Sequence, residues 1–403
     1  MRILFVCHRF PYPADGGGKI RALKIIEHLQ RVHEVHVFSM TRTQHERAGL
    51  AELRERVSHC TAPSVSRFQT VLSLGLGWLS GRSLSESYFC LPPVRAAMTT
   101  LLASERFDLI IAHSSSIGPL VVRSDCKVLM DFCDMDSMKW SIFSSESVGV
   151  MRWVYRREAR LVNALEHSLA SRVSASSVAT PSELQSLRMI CPEASKADWF
   201  ANGVDRFYFA PVSQESNPLQ FCFVGRMDYL PNVDCVEWFV AHCWPGVLNR
   251  YPEARFLIIG ANPSSRVKAL DRIQGVEVTG TVADVRPYLG RSAAMVAPLR
   301  IARGVQNKLL EAMSMGVPVV TSRRCAAALD PELAACVLTA DQVDEVTDAC
   351  VWLLDSPIER RRLSLKGRRA IRQHATWPAS LGKLDQLIQE LMATDDRMGQ
   401  QHA

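Results

Sequence analysis

Short apolar runs alternate with helical patterns along almost the whole chain. Residues 3–7 are apolar and lead into a glycine-rich loop and a helical pattern over about 19–31. Residues 34–39, 109–112 and 127–131 read as further strands, and 152–169 as a long helix rich in Arg and Glu. A strand at 176–179 stops at Thr180-Pro181-Ser182-Glu183. That tetrapeptide opens a helix, with Thr180 as N-cap, Pro181 at the first helical position and Glu183 at the third. Periodicity fails over 202–218, a turn-rich stretch that reads as a linker. Beyond it, strands at 221–224, 255–259, 276–279, 293–297 and 317–321 alternate with helical segments, one of them at 233–249. This alternation predicts an α/β protein with two doubly wound, Rossmann-like domains and mostly parallel sheets. The first domain covers 1–201 and the second 219–375. The tail, 376–403, holds an amphipathic helix that can pack on either domain, packing back on the first being one option. Ligands of open α/β sheets bind outside the carboxyl ends of the strands, so the ligand is expected in a cleft between the domains.

The length of 403 residues supports two such domains. A formal charge of +6 suits anionic substrates or a membrane surface, but is too weak and scattered for nucleic acid. Twelve cysteines without a C-x-x-C pair, many in apolar runs, read as reduced structural thiols, which implies the cytosol. The start, MRILFVCH, is too short in apolar residues for a signal peptide, and no window is long enough to span a membrane. The segment VLSLGLGWLSG at 71–81 comes nearest. A buried core helix is the expected reading, and an interfacial patch the alternative.

The densest chemistry lies at 303–320, RGVQNKLLEAMSMGVPVV. A loop with Gly304 precedes a helix carrying Lys308 and Glu311, and Gly316 and Pro318 end that helix before an apolar strand. Glu311 follows Gly304 by seven residues, about two helical turns, so both are expected on one face. Backbone N–H groups, the helix dipole and a cation suit a diphosphate, and a carboxylate suits ribose hydroxyls. In FCFVGRMDYLPNVD, Gly225 and Arg226 end a strand, and Arg is suited to bidentate oxygen recognition. Asn232 is placed as the cap of the next helix. Arg226, Lys308 and Glu311 converge if their loops are neighbours in one sheet. In the first half, Gly16, Gly17 and Gly18 form either a turn or a loop that lets a ligand approach backbone N–H groups. The G-x-G-x-x-G dinucleotide spacing is missing there. His113 ends a strand and is expected to point to the cleft mouth. Asp131, Asp134 and Asp136 fail the EF-hand pattern and are read as loop caps and substrate contacts rather than metal ligands.

Together these pieces resemble the GT-B glycosyltransferases, specifically retaining family 4, over nearly the whole chain. LLEAMSMGVPVV resembles that family's nucleotide-binding carboxylate helix, ANGVD the segment before its second domain, GGG its first loop and VGR its phosphate-binding arginine. MDYLPNVD with RGVQNKLLEAM is similar to sugar transferases associated with exosortase and exopolysaccharide clusters. The resemblance implies a nucleotide diphosphate sugar as donor, with no further cofactor and no metal. It implies that Glu311 binds ribose hydroxyls and that Arg226 binds diphosphate. It also places His113 near the transferred sugar, and Gly17 and Gly18 near donor phosphate or acceptor. Arg226, Lys308 and His113 are then the catalytic candidates, and Gly225, Gly304, Arg303 and Glu311 the remaining donor-binding ones.

Two positions depart from the family pattern. Arg303 stands where a donor-sugar glutamate is usual, eight residues before Glu311, and Asn232 stands where a lysine is common, six residues after Arg226. Lys308 or Arg303 can replace the missing charge. The expected protein is thus a retaining, metal-independent hexosyltransferase acting on a glycan or polyprenyl-linked acceptor in exopolysaccharide biosynthesis. It is expected in the cytoplasm, with peripheral contact at the inner face of the membrane. The alternatives are a nucleotide-sugar epimerase using Asp131 or Asp134 as acid and base, and a non-catalytic nucleotide-sugar-binding protein.

Overall fold

A computed structural model describes residues 1–14, 16–194, 196–211, 217–302 and 304–399. Arg303, expected to contact the donor, lies outside the described residues, as does the middle of the expected linker. The chain divides into two compact units, Met1–Phe200 with the segment from Leu381, and Ala201–Ser380.

The first unit is built on seven strands, β1 (Arg2–Cys7), β2 (Glu34–Phe38), β3 (His59–Thr61), β4 (Leu109–His113), β5 (Lys127–Cys133), β6 (Ala175–Val178) and β7 (Ala197–Trp199). They lie in the order β3-β2-β1-β4-β5-β6-β7, and every pairing is parallel. The inner strands are near-continuous apolar runs because helices cover both faces of such a sheet. The connecting helices are α1 (Gly17–Leu29), α2 (Gln44–Arg56), α3 (Arg67–Leu79), α4 (Leu84–Phe89), α5 (Pro92–Ser104), α6 (Asp136–Glu146), α7 (Gly149–Ala170) and α8 (Pro181–Ile190). Thr180 caps α8 as its sequence predicts, its side chain accepting from the Glu183 N–H. The C-terminal helix, Trp377–Gly399, is held to this unit by His28 Nε2 on the Asp385 carboxylate at 2.8 Å and by Lys383 over the Trp199 ring.

The second unit has β8 (Asn217–Val224), β9 (Arg255–Ile259), β10 (Val276–Gly280), β11 (Ser292–Ala297), β12 (Val319–Thr321) and β13 (Leu338–Thr339), in the order β10-β9-β8-β11-β12-β13. Its first helices are α9 (Leu230–Trp238), α10 (Trp244–Arg250), α11 (Ser265–Ala269), α12 (Arg286–Arg291) and α13 (Asn307–Ser314). The helix expected at 233–249 is broken by a π-helical segment, Phe239–Cys243, just before Pro245, which has no N–H to continue the ladder. In each sheet the strand order reverses beside the first strand, between β1 and β4 and between β8 and β11. The carboxyl ends of those strands are the natural ligand position of this architecture.

Two expectations fail. The segment at 71–81 is not a core helix: in α3 the residues that face the protein are Ser73 and Gly77, while Phe68, Val71, Leu72, Leu76 and Leu79 are exposed. Asp131 is not at a loop. It sits inside β5, fully buried, and takes two hydrogen bonds from the Arg21 guanidinium of α1, both at 3.1 Å. Arg21 also stacks on Phe200 at 3.9 Å. Burial pushes the Asp131 carboxyl up, but the Arg21 charge and the hydrogen bond with His113 outweigh it and hold it well below the usual carboxylate range. The twelve cysteines are all unpaired, nine of them buried, and burial pushes thiols such as Cys7 and Cys222 up to about 12.

Removing one partner of the buried pair leaves the other charge stranded, so Asp131→Ala should cost about 3–5 kcal/mol in urea denaturation. Because the folded carboxyl is depressed, the wild-type contribution should be complete above about pH 4 and lost as pH falls below it, a dependence the variant should lack.

Candidate functional site

The loops after β8 and β11 are neighbours, since these strands pair in parallel, so the condition for convergence is met. The Lys308 ammonium on α13 donates to Asn232 Oδ1 at 2.6 Å and lies 4.3 Å from the centroid of the Phe223 ring. The Asn232 Nδ2 donates to the Arg226 carbonyl at 2.8 Å. Asn232 is therefore not the helix cap. It is the third residue of α9, buried, and it ties the Arg226 loop to Lys308. The Lys308 ammonium thus meets the position 232 side chain from α13. An ammonium has three N–H donors, and Asn232 is the acceptor it reaches among the described residues.

Gly225 makes this approach possible. A Cβ there would lie 2.6 Å from Asn232 Nδ2 and 3.0 Å from Lys308 Nζ. A Cβ on Gly260, at φ +153°, would lie 1.7 Å from the Gly225 carbonyl oxygen. Two strand ends thus meet through glycine backbone. Gly304 has φ +62°, a left-handed conformation, and is buried. Since α13 begins at Asn307, Gly304 is three residues outside the helix, so it does not share a helical face with Glu311. The first turn of α13 holds no acidic residue and its N-cap, Gln306, makes no side-chain cap bond. Asn202, from the ANGVD segment, donates to Asn307 Oδ1 at 3.0 Å.

Burial pushes the Lys308 ammonium down to about 8 and the Glu311 carboxyl up to about 7. Each draws the other toward its charged form, but desolvation prevails in both. The Arg226 guanidinium is exposed and engaged side-on by Asp228, at 3.1 Å and 2.7 Å.

In the first unit, His113 is buried at the end of β4, not open at its mouth. Its Nδ1 lies 2.9 Å from Asp131 Oδ2. An ionised carboxylate accepts only, so a proton stands on Nδ1 and points at Asp131. His8, which directly follows β1 across the switch point, stacks near the His113 ring, 5.9 Å between centroids. Burial, then the neighbouring His113, holds its imidazole well below its usual range, so it is neutral. Ser114 at φ +88° and Cys133 at φ +63° carry backbone strain at the ends of β4 and β5. His113, Asp131 and Cys133 lie close enough together to hold a cation. The Arg21 guanidinium already neutralises Asp131, and this donor set does not suit a second cation. The same pairing removes Asp131 as a proton shuttle for epimerisation. Gly17 begins α1 after Gly16, and among the described residues a Cβ on Gly16 or Gly18 would meet nothing within 4 Å. His8 and Arg21 escaped the sequence reading. The position of His8 just past the first strand was the available signal, and nothing local marks Arg21 as buried.

Compared with known proteins, residues 218–356 match the family model described as glycosyl transferases group 1. Sucrose-phosphate synthase from Thermosynechococcus elongatus superposes with a TM-score of 0.72 at 17% identity, over 98% of this chain and 100% of that one. HepE of Anabaena, solved with UDP and glucose, superposes with a TM-score of 0.68 at 12% identity, over 97% and 100%. The fold is GT-B. A curated relative, the GDP-mannose-dependent monoacylated alpha-(1-6)-phosphatidylinositol monomannoside mannosyltransferase of Corynebacterium glutamicum, is 25% identical over 210 residues. That match takes in 47% of this chain and 55% of the relative, so the chain spans about half the length of the curated relative it matches.

The raised carboxyl of Glu311 has a cost in stability. Its folded value, about 7, exceeds its unfolded one, so the contribution of Glu311 to stability is most favourable below about pH 4 and is lost as pH rises toward 7. Glu311→Gln should therefore be more stable than wild type above pH 7, by about 1–2 kcal/mol after solvent screening. The gain should vanish below about pH 4. Urea denaturation at the two extremes measures it.

Proposed function

We propose that this protein is a retaining glycosyltransferase that moves a hexosyl group from a nucleotide diphosphate sugar to a glycan or polyprenyl-linked acceptor. The observation that carries this reading is the Lys308 ammonium held at the switch point of the second sheet, inside the segment that matches the glycosyl transferases group 1 model. A departing diphosphate develops negative charge. The unspent N–H donors of Lys308, the N–H groups opening α13 and the backbone at Gly304 are set to receive it. Asn232 holds Lys308 in place before any ligand arrives, so little reorganisation is needed when the bond breaks. Arg226 adds a second cation once the diphosphate competes with Asp228 for its guanidinium. Glu311 takes the ribose hydroxyls.

His113, with its tautomer set by Asp131, is read as the group that touches the transferred sugar, and Gly17 and Gly18 as the backbone approached by donor phosphate or acceptor. In this reading the acceptor attacks on the face of the leaving group and the donor phosphate takes its proton, so no side chain serves as general base. The charge on the leaving group is met by protein cations, and neither metal nor cofactor is required. Membership of family 4, a place in exopolysaccharide biosynthesis and a cytoplasmic location at the inner membrane face complete the proposal. The curated relative acts on a phosphatidylinositol mannoside by its name, which supports a lipid-linked acceptor.

A thermal-shift screen across nucleoside diphosphates, their sugars and the bare nucleosides tests the site, since a ligand bound to the folded state raises the melting temperature. Lys308→Ala and Arg226→Ala should weaken diphosphate binding about tenfold or more while leaving nucleoside binding nearly unchanged. Equal losses for both ligands would remove these residues from the phosphate site.

Diphosphate affinity should also fall as pH rises through about 8, where free Lys308 loses its proton, and Lys308→Ala should flatten that limb. An unchanged titration in the variant would assign the pH dependence to another group.

A further inference from the structure

Helix α3 is inside out. Its small residues face the protein: a Cβ on Gly77 would lie 1.9 Å from Ser87 Oγ of α4, and Ser73 donates to the Ser87 carbonyl. Its large residues face away. Phe68, Val71, Leu72, Leu76 and Leu79 recur at helical spacing and form one exposed stripe, with Phe68 at 77% and Leu79 at 84% exposure. The first turn of α7 extends it. Trp153, 59% exposed, packs edge-on against Trp78 with ring centroids 5.6 Å apart, and Val150 and Met151 beside it are exposed. Contiguous apolar surface of this kind on a soluble domain marks a contact site.

Charge decides what covers it. α3 contains no acidic residue. Along α7, Arg152, Arg156 and Arg160 follow at four-residue spacing, all exposed, beside the apolar turn. At the N-terminal end of α3 lies a cavity of about 970 Å³. Val71 of the apolar stripe and Arg42, Arg47 and Arg67 all line it. The one carboxylate in its wall, Glu46, is spent on capping α2, where it accepts from the Arg42 and Thr43 backbone N–H groups. Arg42 is stacked on Tyr88 at 3.9 Å and held by Thr70 Oγ1 at 2.8 Å, while its buried Nε has no partner. None of the three arginines is within salt-bridge distance of a carboxylate among the described residues.

We propose that the outward face of α3 and the start of α7 lie in the headgroup region of an anionic bilayer, and that the arginine-lined cavity beside them takes a lipid phosphate. α3 is about 20 Å long, too short to cross a bilayer but suited to lying in its surface. No helix among the described residues is long and apolar enough to cross a membrane. Aliphatic and aromatic side chains on one face with arginines around them are the pattern of an interfacial helix. This extends the membrane-side acceptor of the proposed function by naming the surface that meets the membrane.

The test is vesicle flotation of the full chain with phosphatidylcholine alone and with added phosphatidylglycerol. The protein should float with the anionic vesicles and remain below with the neutral ones. Phe68→Ser, Leu72→Ser and Leu76→Ser combined should reduce the floated fraction at least about tenfold, because three inserted apolar side chains are lost. Arg47→Glu with Arg67→Glu should reduce it as well. All five positions are exposed, so the variants should keep the wild-type circular dichroism. Wild-type protein left in the soluble fraction with both vesicles overturns the proposal, as do variants that float like wild type. A concentration-dependent dimer that the apolar variant abolishes, without flotation, assigns the face to a second copy of this chain and also overturns it. The nucleoside diphosphate thermal shift, measured on the same samples, reports the other domain. Flotation without that shift leaves this proposal standing and the transferase reading fallen, and the reverse result separates them the other way.

Discussion

One hydrogen bond organises the second domain's site: Lys308 Nζ to Asn232 Oδ1. It joins the start of α9 to the start of α13, two helices that follow different strands of the sheet. For the ammonium to reach the amide, position 225 must have no side chain. For the Gly225 backbone to lie where it does, position 260 must have none either. A lysine at position 232 would bring the charge on its own helix. Here the charge crosses from the neighbouring element, and an amide receives it. The cost is a half-buried cation beside a half-buried acid, each pushed toward neutrality by desolvation. A charged and hydroxylated ligand offsets that cost when it replaces water at both groups, which is why the pair is better suited to binding than to stability.

The sequence was legible where a segment's environment is dictated by its own residues. The buried strands of both sheets were found to within a few positions because parallel strands between two helical layers are apolar throughout. β3, β7 and β13 were missed: HCT, ADW and LT are two- or three-residue edge strands with no periodicity to read. The capped start of α8 was legible because Thr180 and Glu183 act on each other locally. Asn232 was misread because its partner lies 76 residues away. Arg21 and Asp131, 110 residues apart, were invisible as a pair for the same reason. α3 was misread by assuming that a helix rich in leucine buries its leucines, whereas Gly77 and Ser73 let the small face pack and turn the large one out.

The buried acids of the first domain show how far an ionisable group can be from chemistry. Glu158 accepts from the Leu84 and Ser85 N–H groups that open α4. Glu183 accepts from the Met135 N–H, and Glu166 from the Ser137 N–H, both at the start of α6. Burial pushes Glu166 up to about 8, while its hydrogen bonds with Ser137 tie it to the start of α6. Asp131 is held by Arg21, His113 and Ser177. Beside these committed carboxylates stand the rings of His8 and His113, with His8 Nδ1 on the His113 carbonyl and His113 Nδ1 on Asp131, so the Nε2 atom of each can accept one hydrogen bond from a hydroxylated ligand.

The return of the C-terminal helix to the first domain sets an order of assembly on the ribosome. His28, Lys127 and Trp199 each wait for a partner more than 180 residues downstream, in Asp385, Leu391 and Lys383. The second domain is synthesised whole before any of those partners emerges. Its sheet can close while the first still lacks a covering helix, so the nascent first domain must hold an unfinished face in water through the translation of the entire second domain. The domain begun first is the one completed last.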